Sequence, residues 1–72
     1  MINSNLLKSK MSLKGYDIEK LSQATGIHRD TISNLLRNQT LPSYKVINTL
    51  YYELELTPEE GKEIFFANKL TY

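Results

Sequence analysis

Between residues 28 and 38 the chain reads HRDTISNLLRN. Its only apolar positions are Ile32, Leu35 and Leu36, the spacing of a helix with one buried stripe and one wet face. That wet face carries a forked donor at Arg29, a carboxylate at Asp30, an amide at Asn34 and a second fork at Arg37, with Ser33 and Thr31 between them. Such residue types recognise another molecule through hydrogen bonds. They are not a set for covalent chemistry. The chain has one His and no Cys, it lacks a glycine loop to cradle phosphate, and it is too short to enclose a cleft. No general base or nucleophile has a partner, so the expectation is a protein that is not an enzyme, with no small-molecule substrate and no cofactor. His28 has neither a second His nor a Cys with which to bind a metal.

The wet face must be positioned by other helices. Leu6, Leu7 and Met11 predict a first helix over residues 4–14, stopped by Gly15, which takes the left-handed conformation readily. Asp17 caps a second helix whose inward positions are Ile18 and Leu21, with small Ser22, Ala24 and Thr25 beside them. Gly26 breaks it, Ile27 anchors the break, and the third helix begins at His28 or Arg29. Asn38 stands where that helix ends, as the next-best left-handed stop after glycine. The polar loop Asn38-Gln39-Thr40 leads to Pro42-Ser43 and a fourth helix with Val46, Ile47, Leu50, Tyr51 and Leu54 inward. Thr57-Pro58-Glu59-Glu60 is a capping box with proline at the first helical position, launching a fifth helix that carries Ile64, Phe65 and Phe66. No strand-like alternation, repeat or linker competes. The expected fold is all-α: one compact five-helix domain over residues 1–72.

At 72 residues and 40% hydrophobic, with no cysteine, such a chain must be stabilised by helix packing alone. No apolar signal core or membrane-length window is present, so the sequence reads as soluble and cytoplasmic, with no membrane partner. Net charge is +1, but residues 1–50 hold seven cations against three acids, whereas residues 51–72 hold two cations against five acids. If the two parts face different ways, the first could meet a polyanion and the second a protein. The run from Glu53 to Glu63 also reads as a solvated face.

The stretch LSQATGIHRDTIS, residues 21–33, resembles the helix-turn-helix of the Cro and lambda-repressor family, with the motif over about 17–37. A leucine and a small residue on the second helix, a Gly-apolar turn at Gly26-Ile27, and Ile32 on the third helix carry the likeness. Asn38, Pro42-Ser43 and Leu54-Glu55-Leu56-Thr57 extend it over roughly residues 4–60. The tail Glu63-Ile64-Phe65-Phe66-Ala67-Asn68-Lys69 is similar to that of very small Cro-like proteins from phages of Gram-positive bacteria. The resemblance implies binding of double-stranded operator DNA inside a bacterial host cell, with the third helix in the major groove. It puts Arg29 on a guanine, Asn34 on an adenine and Asp30 on a cytosine amino group, each good pair contributing about 1 to 3 kcal/mol of discrimination. Ser33 and Thr31 would touch phosphate or cap the helix. Arg37, Asn38, Gln39, Thr40, Ser43, Tyr44 and Lys45 lie where the family holds the phosphate backbone.

Several positions depart from the family pattern. Ile18 replaces a glutamine that braces the second helix against phosphate, and it packs in the core or against Tyr16. His28 stands where Ser or Thr caps the third helix; capping, a phosphate and solvent are all open to its imidazole. Asp30 is repelled by phosphates unless it finds a cytosine or Arg29, but it also suits the positive end of the helix dipole. Leu36 and Met11 occupy the places of a buried glutamate and arginine, as an apolar substitute for the ion pair. Neighbouring rings on a helix point about 100° apart, so Phe65 and Phe66 do not both bury in one small core. Phe65, Phe66 and Tyr72 are therefore candidates for an interface with a second copy or with a phage repressor, with packing in the core or along the tail as the alternative for each. A modulator of repression, an antirepressor gripping such a repressor, and an antitoxin-like regulator share this fold with a Cro-type protein.

Overall fold

The computed structural model describes residues 2–66. Among them are five helices and no strand: α1 Ser4–Leu13, α2 Ile18–Thr25, α3 Arg29–Leu36, α4 Tyr44–Glu53 and α5 Pro58–Phe65. Each begins at a side-chain cap that satisfies an otherwise unpaired amide. Asn3, Asp17, His28, Ser43 and Thr57 accept from the backbone N–H of Leu6, Lys20, Asp30, Val46 and Glu60. At α5 the box is reciprocal, since Glu60 Oε1 also accepts the Thr57 N–H at 2.9 Å.

Three stops share one geometry. Gly15, Asn38 and Glu55 all have positive φ, at 78°, 56° and 52°. The amide of the following residue then reaches back five positions: Tyr16 to the Met11 carbonyl, Gln39 to Asn34 and Leu56 to Tyr51. The sequence predicts the first two; Glu55 is an unforeseen left-handed residue. Its turn drops both Leu54 and Leu56 into the core, where they are 2% and 6% exposed.

The core is one apolar cluster drawn from all five helices and the segments between them. Leu7, Leu21, Ile32, Leu35, Leu50 and Ile64 are fully enclosed. Met11 and Leu36 are buried in the same cluster, and α1 packs on α3. Ile18, Ile27, Val46, Ile47 and Tyr51 are only half-buried around it. The sequence did not reveal Ile2, which is 6% exposed and belongs to the core. Its N–H donates to Asn38 Oδ1 at 2.8 Å, and the next amide, Asn3 N–H, donates to the Ile64 carbonyl at 2.7 Å. Two residues ahead of α1 thus tie the end of α3 to the last turn of α5.

Contacts between the two parts partly close the charge asymmetry along the sequence. Packing of α5 on α1 brings Glu60 onto Lys10, and Lys14 Nζ lies 3.0 Å from Glu55 Oε1. Glu53 accepts the Tyr16 hydroxyl. Three of the five acids of residues 51–72 therefore close onto groups from residues 1–50, while Glu55, Glu59 and Glu63 remain exposed to solvent. Lys10 and the Thr57 amide hold the Glu60 carboxyl below the usual glutamate range. The Glu53 carboxylate raises the Tyr16 phenol above its ordinary value, with desolvation adding to it.

Candidate nucleic-acid interface

The two helices that set the wet face are joined by a tight, side-chain-braced turn. Gly26 ends α2 in the left-handed conformation, φ 76°, and its N–H reaches the Ser22 carbonyl. A Cβ built there meets nothing within 4 Å, so backbone conformation, and not crowding, requires glycine. The Ser22 hydroxyl donates to the Ile27 carbonyl at 2.6 Å, the Thr25 hydroxyl donates to the Leu21 carbonyl at 2.7 Å, and Thr25 Oγ1 accepts the Ile27 N–H. With Leu21 and Ile32 both fully buried, α3 is fixed against α2 and turns its other side outward.

On that outer side Arg29, Asp30 and Thr31 are exposed, while Ser33 and Asn34 are half-buried. His28 caps: Nδ1 accepts the Asp30 N–H at 3.1 Å, which requires the proton on Nε2. Of the three uses the sequence left open, the cap is the one this geometry shows, and the side chain stays largely exposed. Asp30 lies in the first turn of α3, where the helix dipole favours a carboxylate, and its Oδ2 is 3.8 Å from His28 Nδ1. Arg29 does not turn to Asp30. Its Nη1 donates to Glu19 Oε1 on α2 at 3.3 Å. Arg37 Nη2 donates to Asn34 Oδ1 at 2.9 Å, one turn along the helix.

The loop and the α4 entry continue the same polar ground. Arg37, Gln39, Thr40, Ser43, Tyr44 and Lys45 are exposed. Asn38 is different: it is half-buried, and its Oδ1 serves the Ile2 amide. Asn38 is first a latch for the chain ahead of α1, a use its sequence position could not disclose. Leu41 and Tyr44, each 75% exposed, form apolar ground beside the cations Arg37 and Lys45 in sequence. Sequence reasoning passed over Leu41.

The aromatic candidates separate. Phe65 is 7% exposed and part of the core, which corrects its placement as an interface anchor; α5 points it inward beside Ile64. Phe66 is half-buried and borders a groove of about 290 Å³ between α4 and α5, together with Ile47, Tyr51 and Lys62. Gly61 forms part of its floor, and a Cβ there would come within 3.0 Å of Tyr51 Cδ1. Tyr72 lies outside the described residues.

No helix among the described residues is long and apolar enough to cross a membrane, and no group of three or more His, Asp or Glu side chains among them could hold a metal ion. No curated protein and no solved structure matches the chain significantly. The Cro/C1-type helix-turn-helix DNA-binding domain matches residues 6–60, a span that begins within α1 and closes within the first turn of α5. With three-quarters of its length covered and α2, the Gly26 turn and α3 in place at its centre, the chain belongs to the Cro/C1-type helix-turn-helix DNA-binding family.

Proposed function

We propose that the chain is a small Cro-type transcriptional regulator of a phage lysis-lysogeny switch, working in the cytoplasm of a bacterial host and not as an enzyme. The observation that carries this reading is the outer side of α3, held by a braced turn on α2 and presenting Arg29, Asp30 and Asn34 beside a polar loop and the α4 amino end. A helix so mounted fits the major groove, while Thr40, Ser43, Lys45 and the free amides of α4 face the phosphates. Two copies would read half-sites about one helical turn apart. Few base contacts per copy make a dimer or a larger partner necessary for tight binding.

The purified protein is titrated with the DNA flanking its own gene across a salt series. Sequence-dependent binding that falls with salt, and is abolished by Arg29→Ala with Asn34→Ala, supports the reading; unchanged affinity in that double variant sinks it.

A second reading is favoured by Leu41 and Tyr44, whose 75% exposure beside the same face suits a protein partner better than phosphate. Here the chain is a modulator of repression that grips a phage repressor and alters its DNA binding. Capture of the purified repressor would then weaken in Leu41→Ser and Arg29→Ala, and capture unaffected by both would remove this alternative.

A further inference from the structure

The Asn34 side chain is expected from its position to read adenine, because an amide offers one acceptor and one donor in the arrangement that matches adenine N6 and N7. The structure places a third group in that exchange. Arg37 Nη2 donates to Asn34 Oδ1 at 2.9 Å, three residues along α3. A guanidinium has five N–H donors and no acceptor. It can face only the oxygen of the Asn34 amide, since the flipped amide would set N–H against N–H. Arg37 therefore fixes which way the amide points, and the bond that does so is charge-assisted.

We propose that Arg37 makes Asn34 a donor toward DNA and so selects guanine in place of adenine at the base that Asn34 meets. This rests on the DNA-binding reading above. Arg37 occupies one of the two Oδ1 lone pairs and holds the oxygen along the helix, so the end of the amide with no protein partner among the described residues is Nδ2 with its two hydrogens. Guanine presents two acceptors in the major groove, O6 and N7, whereas adenine presents one acceptor and one donor. An amide that turns its Nδ2 end to the base meets guanine acceptors, but it sets adenine N6 opposite a hydrogen-bond donor. Arg37 acts here as a positioning residue. Its remaining donors stay available to a phosphate, so a role in affinity and a role in specificity are carried by one side chain and must be separated by experiment.

The separating experiment is selection of binding sites by the full chain from a randomised DNA duplex library. Wild type, Asn34→Ala and Arg37→Met are compared, and the thermal midpoint of each is recorded as a check that the fold is intact. Asn34→Ala identifies the base concerned, as the position whose preference flattens. At that position wild type is expected to prefer guanine over adenine about tenfold, and Arg37→Met to reverse the preference. Loss of a phosphate contact alone would weaken all sites together and leave the preference unchanged. Adenine preferred by wild type, guanine retained in Arg37→Met, or no position flattened by Asn34→Ala each overturns the proposal while leaving DNA binding intact. A library from which wild type selects nothing overturns the DNA-binding reading itself, and the proposal with it.

Discussion

Asn38 performs two tasks that two substitutions can separate. It adopts φ 56° after α3, and its Oδ1 accepts the Ile2 N–H at 2.8 Å. Asn38→Gly keeps the conformation but removes the acceptor. The partly buried Ile2 amide then loses its partner, a cost of about 1 kcal/mol, and glycine's greater freedom in the unfolded chain adds roughly 0.5 to 1 kcal/mol. Asn38→Ala loses the same bond and must also hold a Cβ in the left-handed region, which adds about 1 to 2 kcal/mol. The expected order of stability is Asn, then Gly, then Ala, with about 2 to 3 kcal/mol between the first and the last. In a domain of this size each kcal/mol moves the thermal midpoint by roughly 4 to 8 °C. Urea denaturation measures the order, and amide exchange at Ile2 reports the latch directly. Equal stability of the Gly and Ala variants would refute the strain argument. Undiminished protection of the Ile2 amide in Asn38→Gly would refute the latch.

Two other contacts make separate predictions. Because folding lowers the Glu60 carboxyl below 4.5, chiefly through its bond from Lys10, its contribution is present above that pH and lost as pH falls through the folded-state value. Denaturant midpoints measured from about pH 5 down to pH 3 should fall more steeply in wild type than in Glu60→Gln, and parallel curves would show that the pair contributes nothing. At Gly61 the gain in helix propensity from alanine, about 1 kcal/mol, is opposed by a contact with Tyr51 at 3.0 Å. Gly61→Ala should therefore stabilise a Tyr51→Ala background more than it stabilises wild type, and equal effects in both would remove the steric account.

The elements whose determinants are local were legible in the sequence. Asp17, the Thr57 capping box, Gly15, Gly26 and the helix-stopping conformation of Asn38 each act within five residues, and all stand where the spacing predicts. What escaped was non-local. Ile2 lies outside any helical periodicity, and only the closure of α5 on α1 and the turn after α3 gives it a buried place. Glu55 takes a conformation disfavoured for its type, because Leu54 and Leu56 on either side are both buried. The 100° rule separated Phe65 from Phe66 without saying which one turns inward. At the candidate interface the residue types were readable. Their mutual pairing was not, since Glu19 with Arg29 depends on the angle between α2 and α3.

That pairing bears on how the face can bind. Glu60 of α5 and Glu55 in the turn before it engage Lys10 of α1 and Lys14 just after it, and Glu19 engages Arg29. Around α3 and the α4 entry this leaves Arg37 and Lys45 as the cations in no ion pair among the described residues. Long-range attraction to phosphate is therefore small for one copy: even with Arg29 recruited, three phosphate contacts give a salt slope of only about −3. On the reading proposed above, affinity would then come from groove contacts summed over more than one subunit. Selectivity has to come from side chains whose orientation is set before DNA arrives. Glu19 with Arg29 and Arg37 with Asn34 restrict those orientations, so less conformational freedom is lost on docking than for unrestrained arginines. On the DNA-binding reading proposed above, a weakly charged, pre-oriented face of this kind would discriminate by hydrogen-bond geometry, and Glu19→Ala and Arg37→Met would then change target choice as much as substitutions of Arg29 and Asn34.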